Sequence, residues 1–161
     1  MWSLFKISLI LLILATPASA ANLNNDAALA DLTSAKVIFD INVDKPNLLL
    51  LRLKFIDKTY RQLQGFGVTP EFVLAFRGKA SRYVTLGEDY VHPDELAQKR
   101  QVEDWIKQFK KSGMALEQCA MAAELQRIEF DEFLPQIEVV ANGYISMIGY
   151  QNKGYALVPM D

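Results

Sequence analysis

The sequence predicts an α/β fold, a three-layer α/β/α sandwich around a mostly parallel five-stranded sheet. Short apolar runs rich in β-branched residues alternate along the chain with longer segments in which apolar residues recur at helical spacing, without internal repeats. Strands that are linked through helices become parallel neighbours, because such crossovers are nearly always right-handed. The composition, with 51% hydrophobic and 22% charged residues, is that of a packed globule.

The first half of the chain predicts a strand, a helix and a second strand. The run 37–43 is apolar and β-branched, and Asp44-Lys45-Pro46 closes it. Residues 47–64 carry apolar side chains at helical spacing, and glycines at 65 and 67 follow where a helix would end. The run 71–76 is the second buried-type strand. The result is a βαβ unit with two parallel strands.

The second half continues the alternation of helices and strands. Its predicted elements are a helix over 93–111, a strand over 114–118, a helix over 119–127, a strand over 137–140, a helix over 143–152 and a strand over 155–158. Asn142-Gly143 is also compatible with a hairpin turn. We favour the helix, because the apolar residues at 145, 147 and 148 do not alternate and the segment is longer than a typical strand.

The first residues have the pattern of a signal peptide. A lysine at position 6 precedes the apolar run 7–15, and Pro17 and the small residues Ala18-Ser19-Ala20 follow. We expect cleavage near Ala20 and a periplasmic or secreted protein without a membrane anchor; the alternative is an uncleaved anchor. No cysteine lies at the expected cleavage site after the apolar run, which excludes a lipoprotein. The expected organisation is a signal peptide over 1–20, an N-terminal arm over 21–35 and one domain over 36–161, since about 140 residues suit a single core.

The charge and the few ligand-type residues limit the classes of partner. A formal net charge of −2 gives no reason to expect nucleic acid, whose binding depends on clustered Lys and Arg. One cysteine and one histidine offer no metal-ligand spacing. Residues 78–80 lack the glycines and the Lys-Ser/Thr pair of a phosphate-binding loop. We therefore expect neither a metal nor a cofactor.

Cys119 is the candidate reactive centre. It is the single cysteine of the chain, so it cannot form an internal disulfide. Its predicted place at the first turn of a helix favours the thiolate, which is the nucleophilic form. Two alternatives remain open. Cys119 is a small packed apolar residue, or it links two copies through an intermolecular disulfide.

Basic residues gather after the second strand, at the edge of the sheet where ligands bind in α/β folds. Arg77, Lys79 and Arg82 offer positive charge for an anion, and Gly78 lets the backbone approach it. The alternative is a solvated basic loop. His92 precedes a proline in a loop, where an exposed, inert histidine is the expected state. The basic residues of the following helix are expected to form a solvated face; they are Lys99, Arg100, Lys107, Lys110 and Lys111.

Several short segments resemble one known family in their order and spacing. They are Lys36-Val37-Ile38-Phe39-Asp40-Ile41, Val73-Leu74-Ala75-Phe76-Arg77-Gly78, Ser112-Gly113-Met114-Ala115-Leu116-Glu117-Gln118-Cys119, Phe133-Leu134-Pro135, Val139-Val140-Ala141-Asn142-Gly143 and Gln151-Asn152-Lys153-Gly154-Tyr155-Ala156. They resemble the DsrE/DsrF-like family, across nearly all of the chain that follows the leader. The resemblance implies a small α/β sandwich that forms homo-oligomers.

The resemblance also implies a role for Cys119, because this residue matches a cysteine that carries sulfur as a persulfide in the sulfur-relay members. The chain departs from the family in two ways: Arg77 stands where many members have a histidine, and the protein is expected to be exported. The leading hypothesis is an exported sulfur carrier with a sulfur-donor or sulfur-acceptor protein as partner. The alternative is a non-catalytic module that binds a small molecule or a protein, with Cys119 packed.

Overall fold

The computed structural model describes residues 23–161, and the predicted signal peptide over 1–20 lies outside them. The helices are α1 (Asp26–Leu29), α2 (Pro46–Gly65), α3 (Leu96–Lys111), α4 (Ala120–Leu125) and α5 (Gly143–Asn152). The strands are β1 (Ser34–Ile41), β2 (Thr69–Phe76), β3 (Ala115–Cys119), β4 (Glu138–Val140) and β5 (Ala156–Met160). The short helix α1 belongs to a separate N-terminal unit that ends at Ala30. None of the helices from residue 23 onward is long and apolar enough to cross a bilayer.

All five strands form one parallel sheet in the order β4-β3-β2-β1-β5. Strands β1 to β4 follow one another across the sheet in chain order, and β5 pairs with the other edge of β1. Right-handed crossovers that run in opposite directions place their helices on opposite faces. The larger core accordingly lies under α2 and α3, while Met147 of α5 packs on Ile38, Val73 and Ala75 on the other face. The predicted α/β sandwich is confirmed.

The strands and helices agree with the sequence prediction apart from their ends. Strand β1 starts at Ser34, inside the expected arm, and β5 ends two residues beyond the predicted strand. Residues 143–152 form α5 and not a hairpin. Cys119 is the last residue of β3 and the N-cap of α4, so it ends a strand where the prediction had it begin a helix. From β1 onward the predicted order of strands and α-helices is therefore correct, and their ends differ from the prediction by one to three residues. The short helix α1, inside the expected arm, was not predicted.

The segment after β2, which carries Gly78, Lys79 and Arg82, is a short helix that packs on the core. Gly78–Val84 forms a 3-10 helix in which Ala80, Ser81, Tyr83 and Val84 are buried. Because these side chains belong to the core, the segment is anchored to it.

The predicted solvated face of α3 is wrong for Lys99. Its side chain is 1% exposed, and Nζ donates to the backbone carbonyl of Thr85 at 2.5 Å and to Glu103 Oε1 at 2.6 Å. A buried ammonium is tolerated because both of these oxygens accept hydrogen bonds from it. Lys107, by contrast, is half exposed as expected.

Candidate functional site

Cys119 lies where β3 gives way to α4, under the start of α5. The residue is 4% exposed. The backbone N–H of Gly143, the first residue of α5, donates to Cys119 Sγ with an N···S distance of 3.2 Å. Amides in the first turn of a helix lack partners within the helix and carry its positive end. The sulfur therefore faces a donor that stabilises negative charge.

This close approach depends on the absence of a side chain at Gly143. A Cβ atom at this position would lie 3.0 Å from Cys119 Cβ and 3.4 Å from Cys119 Sγ. The preceding residue, Asn142, caps α5 by accepting a hydrogen bond from the backbone N–H of Tyr144 at 2.9 Å. The Asn-Gly pair thus begins the helix and brings its first amide against the sulfur.

A cavity of about 230 Å³ opens beside the cysteine, at the carboxyl ends of β2 and β3. Its lining includes Cys119 and three of the four residues predicted to bind an anion, Arg77, Gly78 and Lys79, but not Arg82. The rest of the lining comes from α4, the residue that follows it and the start of α5: Met121, Ala122, Leu125, Gln126 and Tyr144. The structure therefore brings these predicted site residues to one place and adds a largely apolar wall.

Arg77 is held in a fixed position at this cavity. Its Nε and Nη2 donate to the two carboxylate oxygens of Asp40, at 2.6 and 2.7 Å, and its guanidinium lies 5.2 Å from the ring centroid of Tyr144. The hydrogen bond to Asp40 raises the pKa of Arg77 above its usual value. The bidentate pair fixes the plane of the guanidinium group and leaves Nη1 on the side of the Tyr144 hydroxyl, 3.4 Å away.

Gly78 turns the chain sharply after Arg77. Its φ of +57° lies in the left-handed region, and a Cβ atom there would collide with the side chain of Asn42. The side-chain amide of Gln126, just after α4, donates to the carbonyl of Gly78. The turn thus joins the end of β2 to the wall of the cavity.

The other basic residues of the segment share one carboxylate. Lys79 Nζ lies 2.7 Å from Asp44 Oδ2, and Arg82 Nη2 lies 3.4 Å from Asp44 Oδ1. The hydrogen bond from Lys79 lowers the pKa of Asp44. Lys79 is 61% exposed, so its charge is both paired and solvated. Arg77 is therefore the better placed cation for a ligand in the cavity.

The structure separates His92 from this site. Its imidazole is 77% exposed, interacts with Asp94 and does not line the cavity. Within residues 23–161, no group of three or more His, Cys, Asp or Glu side chains is placed to hold a metal ion. Sequence reasoning did not select Gly143, Tyr144 or the residues of α4 as part of the site. The Asn142-Gly143 pair was the one signal in the sequence that could have indicated this contact, because asparagine often caps a helix and glycine leaves space for a neighbouring side chain.

Comparisons with known proteins identify the family and the fold of the chain. The model of the DsrE/DsrF-like family matches residues 9–160. A protein of Aquifex aeolicus (strain VF5), described as uncharacterized, is 28% identical over 125 residues, which is 77% of this chain and 55% of that protein. The chain thus spans about half the length of this curated relative.

A solved structure shares the fold. It is that of a protein of unknown function, MTH1491, from Methanobacterium thermoautotrophicum. The TM-score is 0.62 at 14% identity, and the match covers 78% of this chain and 98% of the other. At this identity the likeness concerns the fold alone.

Proposed function

Because the chain belongs to the DsrE/DsrF-like family, we propose that it is a sulfur carrier whose Cys119 accepts sulfane sulfur as a persulfide. The observation that carries this proposal is the position of the sulfur. Sγ accepts a hydrogen bond from the first amide of α5 and lines a cavity that also contains Arg77. A donor of this kind stabilises a thiolate, which is the nucleophilic form of cysteine, and the cavity gives a reaction partner room beside it.

The chemical step is an exchange between sulfur atoms. The Cys119 thiolate attacks the terminal sulfur of a donor persulfide, R–S–SH, so that a new S–S bond forms to Cys119 as the bond within the donor breaks. The donor leaves as the thiolate R–S⁻, and Cys119 carries the sulfur as Cys–S–SH. One S–S bond replaces another, so no external oxidant or reductant is needed.

Arg77 is proposed to attract and orient the anionic donor. Its guanidinium is fixed by Asp40, which lowers the cost of ordering it when a ligand binds. The apolar wall formed by Met121, Ala122 and Leu125 suits the carbon skeleton of an organic donor. Lys79, which is paired with Asp44 and exposed, contributes less to this attraction.

One observation favours a second function, a non-catalytic module that binds a small molecule or a protein at the same cavity. Cys119 is 4% exposed, which also suits a packed apolar residue. The same burial counts against a disulfide between two copies, because that bond requires the two sulfurs to meet at the surface. In the binding module, the cavity is occupied and the sulfur remains unmodified.

The cellular setting and the partners also belong to the proposal. The pattern of residues 1–20 supports export to the periplasm or the medium, where a sulfur-donor or sulfur-acceptor protein would meet the carrier. We further propose a homo-oligomer. Three large apolar side chains are exposed on α5 at 53%, 66% and 59%, and we call Tyr144, Ile145 and Ile148 the α5 patch. Covering this patch with a second copy removes it from water.

The direct test is intact-mass spectrometry of the folded protein before and after exposure to inorganic polysulfide. We expect the native protein to gain the mass of one sulfur atom, which a reductant removes, and Cys119→Ser to gain none. An equal gain in Cys119→Ser would place the sulfur elsewhere. No gain in the native protein would leave the binding module as the better description.

A second comparison tests the role of Arg77. The double variant Asp40→Asn/Arg77→Gln removes the cation without leaving a part-buried carboxylate unpaired. We expect it to take up polysulfide sulfur about tenfold more slowly than native protein, whereas Lys79→Gln changes the rate by less than about threefold. Equal rates for all three proteins would remove Arg77 from the proposed site.

A further inference from the structure

A buried carboxylate, that of Glu117, lies on the same face of the sheet as Cys119, because the two residues are two positions apart on β3. Glu117 is 7% exposed, and its neighbours in the sheet are Ala75 of β2 and Glu138 of β4. Glutamate is almost never buried to this degree unless it has partners. The proposed sulfur exchange does not use it.

Among residues 23–161, only one of the two oxygens of this carboxylate accepts a hydrogen bond. The hydroxyl of Tyr150 donates to Glu117 Oε1 at 2.9 Å. Glu117 Oε2 is buried and has no hydrogen-bond partner within the described part of the chain. Burial, and then the hydrogen bond to Glu117, raise the pKa of Tyr150 to about 12. A buried acceptor oxygen without a donor calls for a ligand or a water that completes it.

Glu117 lines a second cavity, of about 360 Å³, between the carboxyl end of β4 and α5. This cavity shares no lining residue with the one beside Cys119. Its polar lining includes Ser146 and Lys153, and Lys153 has no carboxylate within ion-pair distance among residues 23–161. The lining therefore offers a buried carboxylate oxygen without a partner and an exposed lysine.

We propose that this second cavity binds a small zwitterion, a molecule that carries a primary ammonium group and a carboxylate. The ammonium donates to Glu117 Oε2, and the carboxylate lies near Lys153. An ammonium ion fits better than a divalent cation, which takes six or more oxygen ligands, whereas Glu117 presents a single carboxylate to this cavity. The volume admits a molecule of amino-acid size.

Three probes of similar size separate the contributions of the two charges. They are β-alanine, which has both groups, propionate, which lacks the ammonium, and propylamine, which lacks the carboxylate. Binding is followed in the purified protein through amide shifts of residues 140–153 in two-dimensional NMR. We expect saturable binding of β-alanine, weaker binding of propylamine and none of propionate.

Matched variants locate the binding. Glu117→Gln keeps the shape and an oxygen acceptor for Tyr150, and we expect it to bind β-alanine at least about tenfold more weakly. Lys153→Gln is expected to reduce the affinity for β-alanine to that for propylamine. Cys119→Ser is expected to bind β-alanine as the native protein does, which separates this site from sulfur transfer.

Four results would overturn the proposal. They are the absence of saturable shifts with β-alanine, equal binding of propionate, unchanged affinity in Glu117→Gln, and shifts that follow protein concentration and not β-alanine. The last would show that residues 140–153 respond to self-association and not to a ligand.

Discussion

The Cys119 sulfur receives its hydrogen bond from backbone, and the size of residue 143 decides whether that backbone can approach. Two glycines of α5 differ in this respect. A Cβ at Gly143 meets the side chain of Cys119, whereas a Cβ at Gly149 meets nothing within 4 Å. Comparing substitutions at Gly143 and Gly149 therefore separates the effect of the contact with Cys119 on stability from the effect of helix propensity.

Replacement of these glycines by alanine is expected to have opposite effects on stability. Gly149→Ala should raise the free energy of unfolding by about 0.5–1 kcal/mol, because alanine loses less conformational entropy in a helix. Gly143→Ala should lower it by about 1 kcal/mol, because the neighbour must move by a few tenths of an ångström. Urea unfolding measures both. Equal stabilisation by the two variants would show that the contact at residue 143 is loose.

Tyr150 reports on the buried carboxylate beside it. Its pKa, raised to about 12 by burial and by Glu117, makes the folded state hold this proton more tightly than the unfolded state does. The corresponding stability is complete below pH about 10, the usual pKa of tyrosine, and is lost as the pH rises to about 12.

We expect Glu117→Gln to lower the pKa of Tyr150 while leaving it above the usual value, because burial is the larger cause of the shift. Ultraviolet absorbance of tyrosinate against pH measures this change, and Tyr150→Phe identifies the signal among the six tyrosines. An unchanged titration in Glu117→Gln would mean that the carboxylate does not act on Tyr150.

Helix α3 tethers the segment that follows β2 through one buried lysine. Lys99 Nζ donates to the carbonyl of Thr85, which is buried just after the 3-10 helix Gly78–Val84. That segment begins at the cavity beside Cys119. An element remote from the cysteine thus supports one wall of the proposed sulfur site.

Loss of this tether should cost stability. Lys99→Met leaves the Thr85 carbonyl and Glu103 without their donor, and we expect the free energy of unfolding to fall by about 1–3 kcal/mol. Lys107→Met, on the exposed side of the same helix, should change it by less than about 0.5 kcal/mol. Guanidinium unfolding of the two variants is the measurement, and equal losses would contradict the tether.

At the scale of the whole molecule, one sheet separates two unequal layers. Helices α2 and α3 cover one face, and within residues 31–161 α5 is the helix that packs on the other face. The α5 patch faces away from the sheet. The proposed homo-oligomer would complete this thinner layer by packing another copy against it.

Sedimentation velocity tests the homo-oligomer. We expect the native protein to sediment as an oligomer and Ile148→Glu as a monomer, because an added charge on the α5 patch opposes burial. Leu86→Glu changes an equally exposed leucine outside α5 (58% against 59%) and should leave the assembly intact. A native monomer, or an oligomer that Ile148→Glu does not disrupt, would contradict an assembly through α5.

The apolar periodicity of the sequence was sufficient to determine the α/β class, the order of the elements and the helix over residues 143–152. It also placed Arg77, Gly78 and Cys119 at the carboxyl ends of β2 and β3, because strands that alternate with helices are predicted to be parallel, and the carboxyl ends of parallel strands lie at the same edge of the sheet. These features depend on residues that are near one another in the chain.

Only the tertiary structure decided which residues meet across the sheet. Two contacts join segments that are distant in the chain: that of Gly143 with Cys119 and that of Arg77 with Asp40. Two ionisable side chains, those of Lys99 and Glu117, are buried. Hydrophobic spacing predicts charged residues on the surface, because burying a charge without partners is costly. Lys99 is an exception because two oxygens accept hydrogen bonds from it. That of Glu103 lies one turn further along α3, and the Thr85 carbonyl comes within reach only after the chain has folded.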